Sequence, residues 1–176
     1  MNTYNVVLVH PQIPQNTGNI GRLCVSTNTR LHLIEPLGYS LDDKYIKRSG
    51  MDYWKFLDIT IYKDWEEFKE KNPEAEMYFF STKTTKVFWD CPYQDNCFLV
   101  FGSEGEGLPP EFYDIYKERL YTLPMEGKFH RSLNLANSVA IALFEGLRRK
   151  AQVLVFFFAF MCHLQVENSD FITRIF

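Results

Sequence analysis

Apolar residues occur along this chain in short continuous runs, separated by polar segments that carry prolines and glycines. Residues 4–9 (YNVVLV) form one such run, closed by His10 and Pro11, and predict a buried strand. The runs at 31–34, 59–62, 77–81, 97–101 and 119–123 predict five more, of which CFLVF at 97–101 is the most strongly strand-like. Between them lie helix-compatible stretches. One is capped by Asn16 or Thr17 and continues through Arg22, Leu23 and Ser26; another, charged, runs from about Asp64 to Lys71. A short helix capped by Ser40, Asp42 or Asp43 would hold Lys44, Lys47 and Arg48, and Pro109 and Pro110 sit where another helix could start. The longest periodic stretch is NLANSVAIALFEGLRR at 134–149. There Leu135, Val139, Leu143, Phe144 and Leu147 recur at three- and four-residue steps and define an apolar face, while Ala136, Ala140 and Ala142 keep other faces narrow. Strands alternating with helices imply an α/β domain with a largely parallel sheet.

Bulk properties narrow the class. A chain of 176 residues is sized for one domain. A net charge of −3 argues against a protein that coats nucleic acid through a broad basic surface, though it leaves room for a local basic patch. The four cysteines, Cys24, Cys91, Cys97 and Cys162, contain no C-x-x-C pair, so neither a disulfide framework nor a structural zinc site is expected. His10, His32, His130 and His163 show no metal spacing. The N-terminus moves straight into a strand-like run without a charged leader, which gives the expectation of a cytoplasmic protein without a signal peptide.

Three stretches could carry chemistry. Gly102-Ser103-Glu104-Gly105-Glu106-Gly107 follows a buried strand and precedes a helix. It lacks the Gly-Lys-Ser/Thr ending of a phosphate loop, and its two glutamates suit a cationic or neutral ligand read by backbone groups. Asn16-Thr17-Gly18-Asn19-Ile20-Gly21-Arg22 places a guanidinium one to two turns into a helix that begins at a strand end, where ligand sites of α/β proteins form. The third is the loop LPMEGKFHRSL at 123–133 ahead of the long helix. By pattern alone each has a purely structural alternative: a tight turn, a capped helix with a solvated arginine, and helix caps at Ser132 and Asn134.

Together the three carry a resemblance. N-x-G-x-x-x-R near the N-terminus, FGSEGEGLP late in the sheet, and LPM followed by RSLNLANSVAIALFE resemble the three motifs of the SPOUT-class RNA 2′-O-methyltransferases. PQIPQNTGNIGRLC and RLHLIEPLGYSLDDKYIKRSGMDYW narrow the likeness to the short wobble-ribose enzymes of the TrmL family, over about residues 4–150. The resemblance implies a SPOUT (α/β knot) fold, a mostly parallel sheet with a C-terminal trefoil knot. It implies S-adenosyl-L-methionine as cofactor, a homodimer, and 2′-O-methylation of nucleotide 34, a cytidine or modified uridine, in the anticodon stem-loop of leucine tRNAs. The alternatives are another RNA such as a ribosomal RNA ribose, or a catalytically silent RNA-binding relative.

The family's cofactor positions fall on Phe80, Gly102, Leu123 and Ser132, with Met125, Leu133 and Asn134 on the same loop and Glu104 tolerated beside a sulfonium. Arg22 and Asn16 of the first motif are the catalytic candidates. Arg22 would orient the target hydroxyl, or less conventionally take its proton, which the strong basicity of a guanidinium, protonated at all ordinary pH, disfavours. Arg131, Lys44 and Arg48 lead the RNA-binding candidates, with Lys47, Lys128 and His130 beside them. No metal and no membrane are required. The pattern departs from the family in carrying about one residue more between Met125 and Ser132. It departs again in an apolar continuation at 151–176, where residues 153–161 are nine consecutive apolar positions, well short of the roughly 20 that span a bilayer. The expected organisation is therefore a methyltransferase domain over 1–150 and an atypical tail over 151–176.

Overall fold

The computed structural model describes residues 4–40, 53–127 and 132–152. Six strands form one sheet: β1 (Asn5–Val9), β2 (Arg30–Ile34), β3 (Ile59–Tyr62), β4 (Met77–Phe80), β5 (Phe98–Phe101) and β6 (Leu120–Tyr121). Their order is β3-β2-β1-β5-β4-β6, and every pairing is parallel. Among the described residues the sheet is parallel throughout, as the alternation of strands and helices led one to expect. β1, β2 and β5 are almost entirely buried, which is why they read as continuous apolar runs instead of alternating ones. The predicted strand boundaries hold to within one or two residues.

The helices are α1 (Pro14–Ser26), α2 (Trp65–Lys71), α3 (Phe112–Ile115) and α4 (residues 135–152). Asp64 caps α2 by accepting from the Glu67 N–H at 2.8 Å. Asn134 caps α4, its Oδ1 accepting from the N–H groups of Ala136 at 2.9 Å and Asn137 at 3.3 Å. The expected cap of α1 is not found. That helix begins at Pro14 behind Ile13, with no side-chain cap of its own, and Asn16 and Thr17 lie buried inside it. Proline at the first position needs no N–H partner, which leaves the Asn16 and Thr17 side chains for tertiary bonds. On α4, Leu135, Val139, Ala142 and Leu143 are buried, whereas Phe144 is 56% exposed; one residue past Leu143, it is turned about 100° off that stripe.

The chain divides into two compact units, Met1–Leu143 and Phe144–Phe176. The first holds the sheet and one core, in which Val7, Val9, Ile34, Phe68, Phe79 and Val100 meet Phe112. Trp65 and Phe68 of α2 and Phe112 and Tyr116 around α3 form a ring cluster with Phe79, with centroids 4.2–6.1 Å apart. His32 sits inside β2, 1% exposed, between the Tyr62 hydroxyl at 2.9 Å and the Asn5 side-chain oxygen at 3.3 Å. In the second unit, Glu145 accepts from Arg148 and Arg149 on the same helix. Cys24, Cys91 and Cys97 are free and buried. Among the described residues no helix is long and apolar enough to cross a membrane. The implied knot concerns the path from β6 to α4, and residues 128–131 of that path lie outside the described residues, as do the tail positions from 153 onward.

Candidate active site

The strand order reverses between β1 and β5, and ligand sites of open parallel sheets form at the carboxyl ends of strands beside such a switch. A cavity of about 360 Å³ lies there. Phe80 and Ser81 close β4, Phe101 and Gly102 close β5, Leu123 and Met125 follow β6, and Ile13 and Asn16 come from the start of α1. Ser132, Leu133, Asn134, Leu135 and Ser138 complete the wall from the α4 side. All eight expected cofactor positions therefore line one cavity: Phe80, Gly102, Glu104, Leu123, Met125, Ser132, Leu133 and Asn134. Asn16 joins them. Arg22 does not. It is exposed on α1, six residues beyond Asn16, and so turned about 240° around the helix from it. Arg131, Lys44 and Arg48 lie outside the described residues, with Lys47, Lys128 and His130.

Glu104 ties the three motifs together. Its carboxylate accepts from the N–H groups of Gln12 at 2.8 Å and Ile13 at 3.2 Å, and from the Asn16 amide at 2.9 Å. It thereby places a negative charge at the start of α1, where the helix dipole favours it and no local cap exists. The Asn16 side-chain oxygen accepts in turn from the Asn134 amide at 2.9 Å, and Asn134 caps α4. A single chain of hydrogen bonds thus runs from the glycine loop through α1 to α4. Asn16 is 5% exposed, so its amide is held in one orientation at the cavity wall. Thr17 bonds the Tyr39 hydroxyl, whose pKa is pushed up to about 12, first by burial, opposed by that bond and reinforced by the Glu104 charge.

The glycine loop closes on itself. Ser103 and Gly107 exchange both backbone hydrogen bonds at 3.0 Å. A Cβ on Gly102 would stand 2.0 Å from the Gly107 carbonyl carbon and 2.2 Å from the Leu108 nitrogen. The glycine at 102 is therefore demanded by the loop's own backbone. Gly107 takes a φ of +78°, open to glycine at no steric cost.

The cavity is mixed in character. Phe80 stacks on Phe101 with centroids 4.8 Å apart and forms an aromatic floor. Ile13, Met125 and Leu133 stand 42%, 36% and 40% exposed around it, apolar surface that a planar ligand would cover. Asn16, Ser132, Asn134 and Ser138 supply polar groups. Among the described lining residues there is no histidine and no cysteine, and burial pushes the Cys24 thiol of α1 up to about 12, where it is inert. No metal-binding group of side chains occurs among the described residues. The geometry suits binding and positioning. The sequence reading missed Ser81, Thr82, Lys83 and Tyr113, which also line the cavity. The rule that strand carboxyl ends host ligands would have found the first three, directly after β4.

Residues 3–144 match the SpoU rRNA Methylase family, four-fifths of the chain. The chain belongs to the SpoU methylase family. Among relatives of this SpoU chain, a tRNA (cytidine(34)-2'-O)-methyltransferase of Burkholderia pseudomallei is 44% identical over 149 residues, covering 83% of this chain and 95% of the relative. A solved structure concerned with the 2-OH methylation of C/U34 on tRNA superposes with a TM-score of 0.79 at 34% identity, covering 86% of this chain and 98% of that one. An AdoMet-bound rRNA methyltransferase from Sinorhizobium meliloti shares the fold, with a TM-score of 0.73 at 22% identity over 84% of this chain and 56% of the other. The parallel six-stranded sheet is thus that of a SpoU methylase of the SPOUT fold.

Proposed function

We propose that this SpoU chain uses S-adenosyl-L-methionine to methylate the 2′-hydroxyl of nucleotide 34, cytidine or a modified uridine, in leucine tRNAs. It would act as a cytoplasmic homodimer, with the activity carried by residues 1–150. The observation that carries the reading is the convergence of the three motifs on one cavity through the Glu104–Asn16–Asn134 hydrogen-bond chain, supported by the name of the Burkholderia relative.

The residues present fit the cofactor. Its amphipathic outline, a flat base with a polar chain, matches a wall that has an aromatic floor, three exposed apolar rims and several amide and hydroxyl groups. Phe80, Gly102, Leu123 and Ser132 would hold it, with Met125, Leu133 and Asn134 beside them. When bound, it supplies an electrophilic methyl group on a sulfonium. The chain's own part is then to hold the target ribose in line and to keep its hydroxyl oriented. Asn16, held by Glu104 and Asn134, positions rather than reacts. Arg22 is the group proposed to orient the hydroxyl. It is exposed and outside the cavity of its own chain, so in this reading it would act on the cavity of a second copy, which is one reason to propose the homodimer.

The test is to incubate the full chain and S-adenosyl-L-methionine with tRNA and ribosomal RNA and to map ribose methylation. A 2′-O-methyl mark at nucleotide 34 of leucine tRNAs is expected. A mark at a ribosomal ribose, or none with the cofactor bound, would overturn the substrate assigned here.

A further inference from the structure

We propose that Lys83 is a phosphate contact for the RNA strand at the mouth of the cavity; this rests on the reading that the substrate is RNA. Lys83 is the one cationic side chain among the described residues lining the cavity. It stands two residues past Ser81, on the exposed rim that follows β4. Its ammonium lies 5.1 Å from the centroid of the Tyr113 ring, and among the described residues no carboxylate comes within ion-pair distance of it. A ring face steadies a cation without neutralising it, so the charge stays available to an incoming anion.

The support around it is built from the same short segment. The Tyr113 hydroxyl and the Ser81 hydroxyl are 2.9 Å apart, and the Lys83 N–H donates to the Ser81 oxygen at 3.2 Å. Ser81 itself is pinned at the strand end by its N–H, which donates to the Tyr121 carbonyl at 2.9 Å. Tyr113, Ser81 and Lys83 thus form one bonded unit on the cavity rim. Among the described residues the rest of that rim is acidic or neutral. Glu104 is occupied by its three donors, and Glu106 is exposed. A polyanion entering there with a net protein charge of −3 needs a local cation, and Lys83 is positioned to be it. Because Lys83 is exposed at the mouth, its partner is taken to be the RNA backbone, which arrives from outside, and not the cofactor's carboxylate.

The experiment compares the full-length wild type with Lys83→Gln and Lys83→Arg. Affinity for an anticodon stem-loop RNA is measured by fluorescence anisotropy across about 50 to 200 mM salt, alongside cofactor affinity by calorimetry. For Lys83→Gln, RNA binding is expected to weaken roughly five-fold at low salt, and the log–log salt slope to fall by about 0.7, one phosphate's worth for a single strand. Cofactor affinity stays unchanged, and Lys83→Arg restores the slope. An unchanged slope overturns the proposal; if cofactor affinity falls with it, the ammonium belongs to the cofactor's carboxylate. Absence of RNA methylation by the wild type overturns the substrate reading beneath it, a result separate from any behaviour of the variants.

Discussion

Replacing Glu104 with alanine removes three hydrogen bonds at once, and the structure says how unequal they are. The two backbone donors, Gln12 N and Ile13 N, are reachable by water, so each loss should cost about 0.5 kcal/mol. The third donor is the amide of Asn16, which is 5% exposed; a buried donor left without its charged acceptor costs roughly 1–3 kcal/mol. The expected destabilisation of Glu104→Ala is therefore about 2–4 kcal/mol, read as a lowered urea midpoint. Glu104→Gln keeps one acceptor oxygen and should fall about halfway. Since Asn16 and Asn134 both line the cavity, cofactor affinity by calorimetry should drop about ten-fold or more, equivalent to 1.4 kcal/mol. The decisive control is the cycle with Asn16→Ala: the two residues should couple by about 1–2 kcal/mol, so that the double variant is much less damaged than the sum. Additive effects, within about 0.3 kcal/mol, with cofactor affinity untouched would refute the idea that this carboxylate assembles the site.

Other perturbations probe separate parts of the same account. Gly102→Ala should destabilise the protein by about 3 kcal/mol and abolish cofactor binding, because its methyl would meet the Gly107 carbonyl at 2.0–2.1 Å; thermal melting and calorimetry measure both. His32 has its pKa lowered from 6.5 to about 4 by burial, with Arg30 adding and Asp58 opposing. A histidine depressed in the folded state stabilises it above pH 6.5 and withdraws that support as pH falls toward 4, by about 3 kcal/mol in all. Urea midpoints from pH 7 to 4.5 should therefore fall more steeply for the wild type than for His32→Asn. Arg22→Ala should bind cofactor within about two-fold of the wild type yet lose about 100-fold or more in methyl transfer to tRNA; unimpaired turnover would remove Arg22 from the chemistry.

The parts of this protein that were legible in its sequence are those set by local pattern. Fully buried strands such as VVLV and FLVF announce themselves as unbroken apolar runs, since both faces of a parallel sheet are covered. Asp64 stands where local capping rules put it. What pattern missed was nonlocal. The carboxylate that serves the start of α1 comes from Glu104, 92 residues away along the chain from Gln12, so Asn16 and Thr17 looked like caps when their side chains face other partners. Phe144 looked like part of a helical stripe because a three-or-four-residue spacing tolerates a neighbour that geometry turns outward. The cavity positions came from the family resemblance, and the fold brings all eight together; spacing alone would have left each as a turn or a cap. At Gly102 the space a side chain would need is taken by the loop's own backbone, a constraint that local pattern does not reveal.

The bond between Asn16 and Asn134 joins residues 118 positions apart, and it has a consequence for the protein's biosynthesis. On the ribosome, β1 and α1 emerge early and the parallel sheet can begin to pair, but the wall of the cavity has no far side until the start of α4 is released. A nascent chain is therefore a scaffold without a site. Acquisition of cofactor affinity marks the moment at which the start of α4 has docked, so ligand capture by stalled chains of increasing length would time that event directly.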